Sequence, residues 1–217
     1  MDFAVARRNM VESQLRTNKV VDPDLLNALR TIPREAFLPA RLRAQAYLDE
    51  HIQLSADRWM TPPMPIARLI QEAMPGQGDN ALVIGEPTGY AAAVLGALCQ
   101  SVFALDQDAD VVSAMGAALA GQACDNVVPI EAPLEEGLPG EGPYDVILLG
   151  GRVEYVPDTL KDQLSEGGRL MAIVGGENEV ASATLFGRRN GVVSSRILFD
   201  ASVKPLPGFR REKSFSL

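Results

Sequence analysis

The chain has 217 residues, 47% of them hydrophobic and 22% charged, with a formal net charge of −8. A length of this order buries about 70% of the unfolded surface in one domain. The acidic balance argues against a nucleic-acid partner, whose phosphates require a basic face. No run of about 18 apolar residues suggests a membrane span, and the opening MDFAVARRNMVESQLR lacks the apolar core of a secretion signal. Cys99 and Cys124 stand apart, and His51 is the one histidine, so a reduced, cytoplasmic, metal-free protein is expected.

In chain order, the apolar spacing of Phe3, Ala6, Met10 and Leu15 predicts a helix over 2–18. A second helix starts at Asp22 or Asp24 as N-cap and covers Leu25–Leu29. It stops at Ile32-Pro33, since proline disfavours helix in the residue before it. A third short helix is expected over 41–47, and a fourth over 66–74 behind the prolines of TPPMPIARL. The methionines, including Met74, occupy apolar positions and read as core filler.

From Asn80 onward the rhythm changes. Strands are expected at 81–84, 101–105, 126–130, 144–149 and 169–174, and helices at 90–99, 109–120 and 157–164. Short apolar runs separated by helical patterns signify a parallel sheet covered on both faces. Two final strand runs, 180–187 and 192–199, flank Arg189-Asn190-Gly191, and Asn-Gly is a strong hairpin signal. The fold class is therefore α/β: a doubly wound, mainly parallel Rossmann-like sheet with a C-terminal antiparallel hairpin and an N-terminal helical segment. Residues 1–78 form that segment and 79–217 the α/β core, together one structural domain.

The stretch ALVIGEPTGYAAA at 81–93 is a buried strand, a turn bounded by Gly85 and Gly89, and a small-residue helix. In a doubly wound sheet, ligands lie beyond the carboxyl ends of the strands at the switch point. Asp106 falls about 20 residues past the glycine turn, where a carboxylate accepts both ribose hydroxyls of a nucleoside-containing cofactor. The other reading of Asp106 is an N-cap for the helix over 109–120.

In order and spacing, MVESQLR (10–16), IPREAFLP (32–39), AYLDEHIQL (46–54), TPPMPIARL (61–69), IGEPTGYAAAVL (84–95), ALDQD (104–108), PYDVILLGG (143–151) and LSEGGRLMAIVG (164–175) resemble the protein-L-isoaspartate O-methyltransferases, over nearly the whole chain. The resemblance implies a seven-stranded methyltransferase sheet, with the N-terminal segment forming part of the substrate site. It implies S-adenosylmethionine as cofactor, with Gly85, Gly89 and Asp106 as contacts. The implied reaction is methyl transfer to the carboxylate of an isoaspartyl protein, or a related acceptor, for protein repair. Thr61 stands where the family's serine hydroxyl meets the isoaspartyl carboxylate; its other reading is an N-cap for the helix after Pro63.

The chain departs from the family's pattern in several places. Val83 replaces an acid, and Pro87 replaces the middle glycine of the turn. Ala132-Pro133-Leu134 replaces Gly-Asp-Gly, with Glu131 or Glu135 as the nearest acids. Proline removes an N–H and adds a ring where the cofactor would lie, and Glu86 adds negative charge beside it. Together these changes weaken the S-adenosylmethionine site. The competing expectation is a non-catalytic methyltransferase fold serving as a binding or regulatory module. Arg58 reads either as a holder of an anionic substrate or as a solvated loop residue. Trp59 reads as a pocket wall or as packing, and Arg152 as facing the site or solvent. The tail KPLPGFRREKSFSL docks on the protein's own surface or on a second subunit, which the sequence does not decide. It does not indicate an oligomeric state.

Overall fold

The computed structural model describes residues 1–177 and 179–211; the end of the tail, 212–217, lies outside them. Asp2 caps helix α1 (Phe3–Asn9) by accepting from the Ala4 and Val5 amides. The path then widens into a π-turn over Met10–Leu15 and tightens to 3₁₀ winding over Arg16–Asn18. Met10, Val11 and Leu15 of the wide turn are all buried.

Helix α2 (Pro23–Thr31) starts as the sequence indicates: Asp22 accepts from the Leu25 amide at 2.8 Å and Pro23 fills the first helical position. Asp22→Ala is expected to cost about 1 kcal/mol, read as a shifted urea midpoint at unchanged slope; an unmoved midpoint would remove the cap from the account. The stretch expected as a helix over 41–47 is instead a 3₁₀ turn over Ala40–Gln45. So short a segment does not sustain α-winding alone.

A two-stranded antiparallel ribbon follows, β1 (Ile52–Gln53) with β2 (Trp59–Met60). Helix α3 (Pro63–Ala73) begins earlier than the prolines suggested, because Pro63 and Pro65 fall in its first turn, where no intrahelical donor is lost. Gln71 on α3 accepts from the Val21 and Asp22 amides and donates to the Lys19 carbonyl, tying α3 to the start of α2. Met74, expected in the core, caps α3 in the left-handed region (φ 47°) and is 70% exposed.

The α/β core alternates β3 (Asn80–Ile84), α4 (Tyr90–Gly96), β4 (Ser101–Asp106), α5 (Ala109–Ala120), β5 (Val127–Glu131), β6 (Tyr144–Val153), α6 (Asp158–Asp162) and β7 (Leu164–Val174). It ends in the hairpin β8 (Ser182–Arg189) and β9 (Val192–Asp200). The seven strands lie in the order β5-β4-β3-β6-β7-β8-β9, the first five parallel and the hairpin antiparallel. Asn190 (φ 52°) and Gly191 (φ 75°) both take the positive φ that a tight hairpin turn needs. Strand β3 is buried on both faces, and residues 90–95 of α4 are buried along their whole length, so the helix lies close on the sheet.

The N-terminal segment is joined to this sheet by one apolar cluster that includes Met10, Leu29, Phe37, Met60, Tyr90, Val94 and Leu148. Arg34 is 1% exposed; its Nε donates to the Ala46 carbonyl at 2.8 Å and its Nη2 to the Thr61 carbonyl at 2.6 Å. Its guanidinium lies 4.8 Å from the centre of the Tyr90 ring. Arginine is thus the tie between the 46–61 stretch and α4.

Candidate active site

The order of strand addition reverses at β3, with β4 laid on one side of it and β6 on the other, all three parallel, which puts the switch point beyond Ile84. The carboxyl ends of these strands present Gly85, Asp106 and Gly150. Gly85 (φ 68°) turns the chain sharply while its N–H donates to the Leu105 carbonyl at 2.8 Å.

Glu86 does not face a ligand. It is 3% exposed; Oε1 accepts from the Thr88 amide and hydroxyl, and Oε2 accepts from the Ala91 amide at 3.1 Å. The carboxylate therefore satisfies the amides at the start of α4. Burial pushes its pKa up, while the Thr88 and Ala91 hydrogen bonds and the Arg34 charge hold it down.

Asp106 is fully buried and is not the helix cap; Asp108 takes that role, accepting from the Asp110 and Val111 amides. Oδ1 of Asp106 accepts from Nη2 of Arg58 at 3.2 Å and from the Asp108 amide at 3.1 Å. Oδ2, and Nε and Nη1 of Arg58, have no hydrogen-bond partner among the described residues. Burial raises the Asp106 pKa, and the Arg58 charge opposes it. Arg58, readable from the sequence as a solvated loop residue, is 7% exposed and is the counter-ion of Asp106.

Thr61 is buried at the mouth of the cleft. Its Oγ1 donates to the Gly150 carbonyl at 2.9 Å, and the cap of α3 is Pro62. Gly89 (φ 81°) packs closely on α5: a Cβ there would come 2.6 Å from Cγ of Met115. Gly150 abuts the turn, where an added Cβ would lie 2.6 Å from the Glu86 nitrogen. Trp59 lies under Lys204, whose Nζ is 4.6 Å from the ring centre, and Arg152 donates to the Gly176 carbonyl. Glu131, the last residue of β5, is exposed; past it Glu135 accepts from the Tyr155 hydroxyl, while Leu134 is buried in an apolar cluster with Leu105, Leu206 and Phe209.

The described part of the tail docks on the protein's own surface. The Leu206 amide donates to the Arg152 carbonyl and the Arg152 amide to the Lys204 carbonyl, which adds a short parallel rung beside the end of β6. This brings Cδ1 of Leu206 to 2.3 Å from where a Cβ on Gly85 would be. Thr61, Gly85, Pro87, Gly150, Arg58 and Leu206 surround a space of only about 10 Å³. That holds about one water, whereas small-molecule sites run from about 300 Å³ upward. A second cavity of about 320 Å³ is lined by Phe37, Leu54, Thr88 and Met115, and Arg58 and Pro87 line both spaces. Neither Leu206 nor the Arg58–Asp106 pair was found from the sequence. The available signals were a leucine between two prolines and an arginine three residues before Thr61.

The strand order, glycine turn and acid at the end of β4 define the Rossmann-like methyltransferase class. Residues 6–206 match the family described as Protein-L-isoaspartate(D-aspartate) O-methyltransferase, and the chain belongs to that family. It is 34% identical over 206 residues to a protein-L-isoaspartate O-methyltransferase of Koribacter versatilis, covering 95% of this chain and 92% of that one. To one of Rhodopseudomonas palustris it is 37% identical over 170 residues, 78% of each chain. Among solved structures, a protein-L-isoaspartate O-methyltransferase superposes with a TM-score of 0.80 at 23% identity, over 91% of this chain and 65% of that one. A Plasmodium falciparum structure, described as a putative member in complex with S-adenosyl-L-homocysteine, gives 0.79 at 18% identity over 92% and 97%. The extent of the family match favours the methyltransferase reading over the non-catalytic one.

As arranged, the residues of this chain leave the space at Gly85 closed to S-adenosylmethionine. Leu206 fills the space over Gly85, Pro87 offers no N–H, and Arg58 holds Oδ1 of Asp106, so that of this carboxylate only Oδ2 is left for a ribose hydroxyl.

Proposed function

We propose that the chain is a carboxyl methyltransferase acting on isoaspartyl residues of proteins, or on a closely related carboxylate, with S-adenosylmethionine as methyl donor, and that the closed cleft is its resting arrangement. The observation that carries this reading is the convergence of Thr61, Gly85 and Gly150 on one space at the switch point, in a chain that belongs to the family over residues 6–206. A carboxylate is already ionised at neutral pH and is itself the nucleophile, so the reaction needs no Ser-His-Asp set or dedicated base. Side chains therefore have only to position the acceptor and exclude water, effects worth several kcal/mol when the reacting atoms are aligned. Thr61 is the hydroxyl best placed for the acceptor, provided it releases the Gly150 carbonyl.

The test is methyl incorporation from labelled S-adenosylmethionine into an isoaspartyl peptide and into the same peptide with ordinary aspartate. Incorporation into the first alone is expected. Equal labelling of both peptides, or none at millimolar cofactor with either wild type or a variant that binds S-adenosylhomocysteine, would remove the reading.

A further inference from the structure

We infer that residues 203–209 are an internal plug of the cofactor cleft, and that cofactor enters only when Leu206 leaves Gly85 and Arg58 leaves Asp106. The inference rests on the methyltransferase reading above and deepens it.

The segment KPLPGF (204–209) is built to sit where it does. Val203, Leu206 and Phe209 are 6%, 5% and 1% exposed, whereas Lys204, Pro205 and Gly208 between them face outward. Backbone bonds hold it at both ends: Lys204 donates to Nε2 of His51 and accepts from the Arg152 amide, and the Phe209 carbonyl accepts from the Glu154 amide at 3.0 Å. Leu206 and Phe209 share one apolar cluster with Leu134, so the plug also covers the loop that follows β5. Gly85 and Gly151 admit this close approach; a Cβ on Gly151 would lie 3.2 Å from Cβ of Leu206.

Arg58 completes the closure from the other side. With Pro87 it forms the wall between the 10 Å³ remnant and the 320 Å³ cavity beside Thr88 and Met115. Among the described residues its guanidinium is held by one hydrogen bond to Asp106 and a 3.7 Å contact with the exposed Asp57, while Nε and Nη1 go without hydrogen bonds. A guanidinium held by one hydrogen bond has few polar contacts to break on leaving. Withdrawal of Arg58 and Leu206 would merge the two spaces and free Asp106 for ribose hydroxyls.

For a protein that binds only from an open minority state, apparent affinity is reduced by the open fraction. Weakening the plug therefore tightens binding without any new contact. The experiment is calorimetric titration of the full chain, wild type and Leu206→Ala, with S-adenosylhomocysteine. Amide hydrogen exchange at residues 152 and 206 is followed in wild type with and without saturating ligand. At least tenfold tighter binding by Leu206→Ala is expected, with loss of protection at both amides when wild type is saturated.

Equal affinities, no binding by either protein, or full protection in saturated wild type would each overturn the plug. A methyl-transfer assay separates the two readings. A Leu206→Ala protein that binds tenfold tighter yet methylates no isoaspartyl peptide keeps the plug and sinks the proposed function. Wild type and variant that methylate with the same KM for S-adenosylmethionine keep the function and sink the plug.

Discussion

Replacing Arg34 with leucine is expected to lower the stability of the fold by about 3 kcal/mol, within the range for breaking a buried polar network. The guanidinium donates to two carbonyls, those of Ala46 and Thr61, from a position 1% exposed. Leucine keeps much of the volume but leaves both acceptors short of a donor, at about 1–3 kcal/mol for each carbonyl left unsatisfied in the interior. It also removes a positive charge that opposes the burial-driven rise of the Glu86 pKa. Relief of the desolvation of Arg34 itself, which pushes its own pKa down, offsets part of the loss. Urea unfolding should show a lower midpoint at an unchanged slope. A loss below about 1 kcal/mol would mean that the 46–61 stretch is held by apolar contacts alone.

Arg34 also illustrates which parts of the fold were legible in the sequence. The α/β alternation was readable because strands buried on both faces must be apolar runs, as in residues 81–84 and 146–149. The hairpin was readable because Asn190-Gly191 supplies the two positive φ values locally. Pitch changes were not: Met10–Leu15 winds as a π-turn because of what it packs against, and nothing in MVESQL demands it. Strand β7 begins at Leu164, inside the stretch expected as helix, because that residue pairs across to Tyr144.

At the site, the spacing from Gly85 to Asp106 located the switch point correctly, since local chain geometry fixes that distance. Its contents escaped because they come from far away in sequence. Arg58 meets Asp106 across 48 positions, and Leu206 reaches Gly85 from beyond the terminal hairpin. Glu86 read as an added charge near a ligand, whereas three donors of its own turn absorb it. A carboxylate two to five residues from free helix amides is legible as a local anion only once its rotamer is known.

Replacing Arg58 with methionine is expected to destabilise the protein by about 3 kcal/mol at neutral pH, and by clearly less in mild acid. Methionine preserves the apolar stem but leaves the fully buried Asp106 without its cation, and an uncompensated buried charge costs about 3–5 kcal/mol. The pH dependence follows from the direction of the Asp106 shift. Burial already raises its pKa above the ordinary 3.8, with Arg58 opposing, so loss of Arg58 raises it further. A carboxyl group whose folded pKa is raised takes up a proton on folding. The stability this confers is fully present below the unfolded value and lost as pH rises through the folded one. The gap between variant and wild type therefore widens from mild acid to neutrality. Glu86 is shifted in the same direction in both proteins and largely cancels from the difference. Urea midpoints for wild type, Arg58→Met and Arg58→Met with Asp106→Asn, at pH 5 and 7.5, test this directly. The double variant should recover most of the loss at pH 7.5, because amide and thioether need no counter-charge. A gap independent of pH, with no recovery in the double variant, would show that Arg58 acts through packing. Asp106 would then owe its charge to the Asp108 amide, and the cleft would lose one of its two closing contacts as an electrostatic one.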